Sequence, residues 1–187
     1  LVASIPKCGR TWVRFFIGNY LQLTYRPLEK FGWNNFTALT PCYRMDPFDG
    51  GSPLFNLPND VPKVIFSHDQ EAAIFFRDVN LILIGRPLKE IAESYYFFHG
   101  NRKNPEYLEK SLSEFILNDF PVAAFTRRIV EFERAAKRSR NVLFLSYQDL
   151  VADTESAFER ILMALDLGVD DGIFQSALAA STRKNMQ

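Results

Sequence analysis

The sequence predicts an α/β fold in which a central, mainly parallel sheet is flanked by helices. Three observations lead there. Short, continuously apolar runs at residues 1–5, 63–67, 80–85 and 141–146 suit strands covered on both faces, as in parallel sheets. Helical spacing of apolar residues, at three and four, fills the intervals that follow them. Strand, tight turn and helix then recur in the same order, which is the alternation of α/β chains.

Each element has its own justification. Residues 1–5 run into Pro6-Lys7-Cys8-Gly9-Arg10, after which Trp12, Phe15, Phe16, Tyr20 and Leu23 mark one face of a helix. Over 26–62 the periodicity fails, and prolines with Gly32, Gly50 and Gly51 break any long element. This is a long irregular excursion rich in aromatic residues, the kind of segment that serves as a lid or acceptor-side loop. A short β-type run at 63–67 ends at His68, and the run at 80–85 ends at Arg86. Pro87 suits the first position of a helix with Ile91, Ala92, Tyr95 and Phe98 on its inner face, closed by His99 and Gly100. Leu112, Phe115 and Ile116 mark a short helix that Pro121 ends, and Phe125, Ile129, Phe132 and Ala136 are in phase in a longer one from Val122. After the strand at 141–146, Asp153 caps a helix that places Phe158, Ile161, Leu162 and Leu165 on one stripe.

A chain of 187 residues, 47% apolar and 24% charged, is folded rather than disordered and fits one domain spanning 1–187. Its 22 basic and 22 acidic residues balance, which argues against a surface tuned to nucleic acid or anionic lipid. Cys8 and Cys42 are too few for a disulfide framework and match no metal pattern, which points to a reducing, cytoplasmic setting without a metal. No run of about 18 uncharged apolar residues exists, so no membrane span is expected in the visible chain. It starts without Met, inside a strand, which leaves room for an N-terminal anchor.

The loop from Pro6 to Trp12 joins a strand to a helix, so it aims free backbone N–H groups and the helix dipole at its mouth. An anion is the natural occupant. Lys7 adds a mobile cation, Gly9 a close approach of backbone and Thr11 a hydroxyl. The loop is not a Walker A motif, because Arg10 rather than Lys follows Gly9, and a tight turn with surface charges is the plain alternative. Arg86 ends a strand and Ser94 lies eight residues on, so the two meet one phosphate only if Arg86 folds back over the helix. His68 also ends a strand, where it could serve as a general base or as a hydrogen-bonded structural residue.

Taken together these segments resemble the sulfotransferase family that uses 3′-phosphoadenylyl sulfate (PAPS). Pro6 to Trp12 is similar to the family's 5′-phosphosulfate loop, usually Pro-Lys-Ser-Gly-Thr-Thr-Trp, with Cys8 and Arg10 as departures. Ile84-Gly85-Arg86-Pro87 through Ser94-Tyr95-Tyr96 resembles its 3′-phosphate motif, with the same eight-residue gap. Val142 to Leu150 looks like the later strand whose Tyr lies near adenine. Ser181 to Met186 is similar to Thr-Ser-Phe-x-x-Met, with Arg183 in place of Phe. Phe66 stands where family members commonly have Lys, and the Arg-Lys-Gly segment that follows in relatives is not in these 187 residues, so the domain reads as cut short at both ends.

The resemblance implies a three-layer, P-loop-like fold and PAPS as cosubstrate. It places Lys7, Cys8, Gly9, Arg10, Thr11 and Trp12 in the 5′-phosphosulfate loop, Arg86 and Ser94 on the 3′-phosphate, Trp12 and Tyr147 around adenine, and Ser181 among the cofactor-binding residues. Catalytic roles fall to His68, as acceptor base, and Lys7. The implied reaction moves a sulfuryl group from PAPS to a hydroxyl or amine on a small-molecule, lipid or sugar acceptor. A nucleotide kinase with a degenerate P-loop and a non-catalytic PAPS-binding domain are the alternatives. Asp69 and Glu71 are the rival bases.

Overall fold

The computed structural model describes residues 1–44, 46, 53–69, 79–139 and 141–186. Four parallel strands form the sheet: β1 (Val2–Ser4), β2 (Phe66–Ser67), β3 (Asn80–Gly85) and β4 (Asn141–Ser146), in the order β2-β1-β3-β4. Val2 lies opposite both Phe66 and Ile82, and the β3–β4 ladder runs from Asn80–Asn141 to Gly85–Ser146. Val2, Ala3, Phe66 and Ile82 are fully buried, which is why these runs show no polar alternation.

Helices cover the sheet: α1 (Arg10–Tyr25), α2 (Leu88–Gly100), α3 (Leu112–Asn118), α4 (Val122–Ala136), α5 (Tyr147–Ala152), α6 (Thr154–Ala164) and α7 (Asp171–Ala180). The anchor of α1 is Phe16, whose ring stacks on Phe158 of α6 at 4.2 Å and meets Phe174 of α7 edge-on at 5.7 Å. Burying each such side chain contributes roughly 1.5–3 kcal/mol. Caps fix where the helices start. Ser111 and Glu114 form a reciprocal capping box before α3, Ser146 and Asp149 form another before α5, and the Asp153 carboxylate accepts from the Ser156 amide at 3.1 Å.

Several expectations change in detail. Of residues 63–67 only Phe66–Ser67 form a strand, although the Ile65 carbonyl also accepts from the Val2 amide at 2.9 Å, and Lys63 turns its ammonium back onto the carbonyls of Leu57, Pro58 and Val61. Pro87 is the cap rather than the first residue of α2, its ψ of 135° being extended. Leu23 points to solvent, and Phe98 leaves the core face. Gly100 is not a left-handed terminator. A Cβ there would lie 2.6 Å from Leu108 Cγ, so the glycine lets the segment 105–109 pack onto the end of α2. Within the excursion 26–62, Phe31, Trp33 and Phe36 pack on Phe15, and Arg14 binds the Thr40 carbonyl and pairs with Asp46 at 2.7 Å. Gly50 and Gly51 lie outside the described residues.

The sheet order has one functional consequence. Each strand is followed at its carboxyl end by a residue singled out from the sequence: His68 after β2, the Pro6–Trp12 loop after β1, Arg86 after β3 and Tyr147 after β4. All four positions therefore open on one edge, where open parallel sheets bind their ligands.

Candidate functional site

The loop after β1 is held open by two residues in left-handed conformations, Lys7 (φ 71°) and Gly9 (φ 84°). Gly9 caps α1 without a side chain, and its carbonyl takes the amides of Trp12 and Val13. The amides of Arg10 and Thr11 precede these first helical bonds, so they have no partner within the helix and suit an anion. A side chain at Gly9 would be strained and would also meet the Tyr147 ring at 2.9 Å, so the loop sits directly against α5.

Arg86 closes the arrangement. Its Nη1 donates to the Lys7 carbonyl at 3.1 Å, its Nε to Glu90 at 3.1 Å, and its guanidinium lies 4.2 Å over the Tyr147 ring. Pairing with Glu90 folds Arg86 back over the first turn of α2. Ser94 is one turn beyond Glu90 on the same face, half-buried. Lys7, Gly9, Arg86 and Tyr147 are thus brought into mutual contact from three strand ends.

Beside them opens a cleft of about 600 Å³ lined by Gly9, Thr11, Trp12, Trp33, Tyr147, Val151 and Met186. Trp12 is fixed there by its Nε1, which donates to the Ser181 carbonyl at 2.9 Å, and by edge contact with Phe158. Two aromatic walls and a volume in the usual range for ligand sites fit a nucleobase. Trp33 went unread in the sequence because nothing periodic marks it. Its place comes from stacking on Phe36 and edge contact with Phe15.

Three singled-out side chains point elsewhere. The Cys8 thiol is buried and pushed up to about 12, chiefly by desolvation, so it offers the mouth only backbone. The Ser181 hydroxyl accepts from Asn19 in the interior. Arg10 is buried, donates to Cys42 Sγ at 3.1 Å, and its Nε has no partner among the described residues. No described group of His, Cys, Asp or Glu could hold a metal ion.

His68 sits at the end of β2 with Nδ1 2.7 Å from the Ser4 carbonyl. A carbonyl only accepts, so Nδ1 carries the proton and Nε2 is left as an acceptor. Burial, then the Arg10 charge, press its pKa down to about 3, against the Ser4 carbonyl, which favours the charged form. Asp69 is ion-paired with Arg44 at 3.1 Å, and Glu71 lies outside the described residues.

A glycine-bearing loop that leads from an inner parallel strand into a helix, with strand-end residues gathered around it, defines the P-loop-like class of α/β proteins. Within that class, the chain belongs to the sulfotransferase domain family, whose match covers residues 1–187. It is 24% identical to rat sulfotransferase 1 family member D1 over 97% of this chain and 63% of the relative, and 23% identical to human sulfotransferase 1E1 over 89% and 58%. The chain therefore spans less than two thirds of the length of the curated relatives it matches. Mouse SULT7A1 complexed with PAP superposes with a TM-score of 0.61 at 19% identity, over 99% of this chain and 64% of that one. Retinol dehydratase in complex with androsterone and the inactive cofactor PAP gives 0.54 at 15%, over 98% and 64%. No described helix is long and apolar enough to cross a membrane.

Proposed function

We propose that this chain carries the donor site of a PAPS-dependent sulfotransferase, which moves the sulfuryl group to an acceptor hydroxyl or amine by in-line transfer. The observation that carries this reading is the junction of Arg86 with the Lys7 carbonyl and the Tyr147 ring, beside the Trp12–Tyr147 cleft. It joins the three segments that would hold the 3′-phosphate, the 5′-phosphosulfate and the base. The relatives' complexes with PAP, adenosine 3′,5′-bisphosphate, support the choice of nucleotide.

The residues divide the work. Trp12 and Tyr147 flank the base, Arg86 with Ser94 takes the 3′-phosphate, and the loop amides with Lys7 hold the 5′-phosphosulfate. Acceptor oxygen or nitrogen bonds to sulfur as the bond from sulfur to the 5′-phosphate oxygen breaks. His68 Nε2 takes the acceptor's proton, and Lys7 meets the charge that grows on the departing phosphate oxygen. We also read 1–187 as one sulfotransferase-like domain. Its acceptor is a small molecule, lipid or sugar approached through 26–62, and its setting is cytoplasmic, which the two buried, unpaired cysteines support.

PAP should raise the melting temperature of the protein more than ATP with magnesium does, since a ligand that binds only the folded state stabilises it by mass action. Arg86→Ala should abolish the preference for PAP over adenosine 5′-monophosphate. Equal weakening of both nucleotides would remove Arg86 from the 3′-phosphate. Stronger stabilisation by Mg-ATP would favour a kinase, and PAP binding without sulfate transfer to any acceptor would leave a non-catalytic domain.

A further inference from the structure

The end of α2 carries a cluster that the nucleotide cleft does not use. Lys7 Nζ stands 2.8 Å from the centroid of the Phe98 ring, and the Arg102 guanidinium carbon stands 4.6 Å from the same centroid. Lys103 is next in the chain and, like Arg102, exposed. The three cations feel one another. Burial first, then Arg102 and Lys103, push the Lys7 ammonium down to about 8, and His99 is lowered by burial, Lys7 and Lys103.

Among the described residues only the Phe98 ring offsets this crowding. Among the described residues no carboxylate pairs with Arg102 or Lys103, the ion pairs being Arg14–Asp46, Arg44–Asp69, Arg86–Glu90 and Lys110–Asp119. Capping of α2 does not account for them either. The His99 carbonyl is already taken by the backbone amides of Lys103 and Asn104, both at 2.8 Å, and Arg102 turns its guanidinium onto a ring instead. Gathered like charges destabilise the free protein and raise the local potential for an anion. The donor's phosphosulfate accounts for Lys7. Arg102 and Lys103 lie outside the loop 6–12 and the Arg86–Ser94 pair that would hold the donor's two phosphate ends. Beside them Phe98, 36% exposed, carries Lys7 on its ring, and its neighbour Phe97 is 57% exposed.

We infer that the acceptor is itself an anion: an aromatic hydroxyl compound bearing a carboxylate or similar oxyanion, its ring on Phe97 and Phe98 and its charge on Arg102 and Lys103. This rests on the sulfuryl-transfer reading above, which puts Lys7 on the phosphosulfate, so that an acceptor entering past 26–62 meets the sulfur beside Lys7.

The test compares two fluorescent probes of equal shape, 6-hydroxy-2-naphthoate and the neutral 6-hydroxy-2-naphthamide, titrated into PAP-loaded protein at low salt. The naphthoate should bind about tenfold tighter, with an advantage that shrinks as salt rises. An R102A/K103A variant should bind both probes alike while its affinity for PAP is unchanged, and R102K/K103R should keep the preference, which separates charge from packing. Equal binding of the two probes by the unaltered protein, binding of neither, or a preference that survives R102A/K103A overturns the inference. Loss of PAP affinity in R102A/K103A also overturns it, by assigning the two cations to the donor. Failure of the unaltered protein to bind PAP is a different result, since it rejects the donor site itself.

Discussion

His68→Ala should lower turnover by about 10² to 10⁴ while leaving PAP affinity unchanged, the range typical of a general base. The side chain is held for this role by one bond: Nδ1–H donates to the Ser4 carbonyl, which leaves the Nε2 lone pair available. Burial, Arg10, Arg128 and Arg14 all oppose the imidazolium, so the free protein holds His68 neutral with a pKa of about 3. That makes it a weak base until an anionic donor arrives, whose sulfonate favours the protonated ring. Two pH signatures follow. kcat/KM should show no acid limb near 6.5, where an ordinary histidine would place one. In the unfolded chain His68 takes its proton near 6.5, while the folded chain refuses it until about 3. Between those values the unfolded state binds more protons, so stability falls as pH is lowered, and His68→Ala should flatten that slope. Near-normal turnover in the alanine variant, with activity lost in Asp69→Asn or Glu71→Gln alone, would move the base to a carboxylate. The Arg44–Asp69 ion pair argues against that outcome for Asp69.

The sheet was legible because burial on both faces leaves a simple trace. Leu81 to Ile84 is apolar without interruption and forms the centre of β3, and the run at 141–146 is β4 to the residue. Asp153 was legible as a cap because its carboxylate acts on an amide only three residues away. Where the reading of Phe98 fell short, the deciding contact was distant. Phe98 lies in phase with Ile91 and Tyr95, yet its ring goes to Lys7, which the fold brings from 91 residues earlier. Helix α5 escaped notice because its cap, Ser146, is also the last residue of β4, so no turn separates the two elements. The expectation of an anion at the loop came from residue types and the strand-to-helix junction, which say nothing of the direction of each side chain. Left-handed backbone at Lys7 and Gly9 accompanies an inward Cys8 and an Arg10 turned to Cys42, and those dihedrals leave no mark in composition.

Lys7→Met should lower kcat by about 10² to 10³ and weaken PAP binding much less, since removing one preorganised contact to developing charge costs on that order. Lys7 is suited to such a contact because no carboxylate holds it among the described residues. Its ammonium rests on the Phe98 ring, a soft partner it can leave for a phosphate oxygen. The pH dependence separates this role from a structural one. With its pKa pushed down to about 8, Lys7 is charged at pH 7 and loses its proton as pH rises through 8, so kcat/KM should fall on the alkaline side. Its effect on folding has the opposite sign. Between about 8 and the unfolded value of 10.5 the unfolded chain binds more protons than the folded one, so Lys7 makes stability rise with pH across that window. A rate that drops above pH 8 while the melting temperature holds therefore reports the loss of one catalytic charge. Lys7→Arg, whose guanidinium stays protonated, should abolish that alkaline limb whatever its absolute rate. A methionine variant with normal kcat and only a raised KM for PAPS would instead make Lys7 a ground-state binding residue.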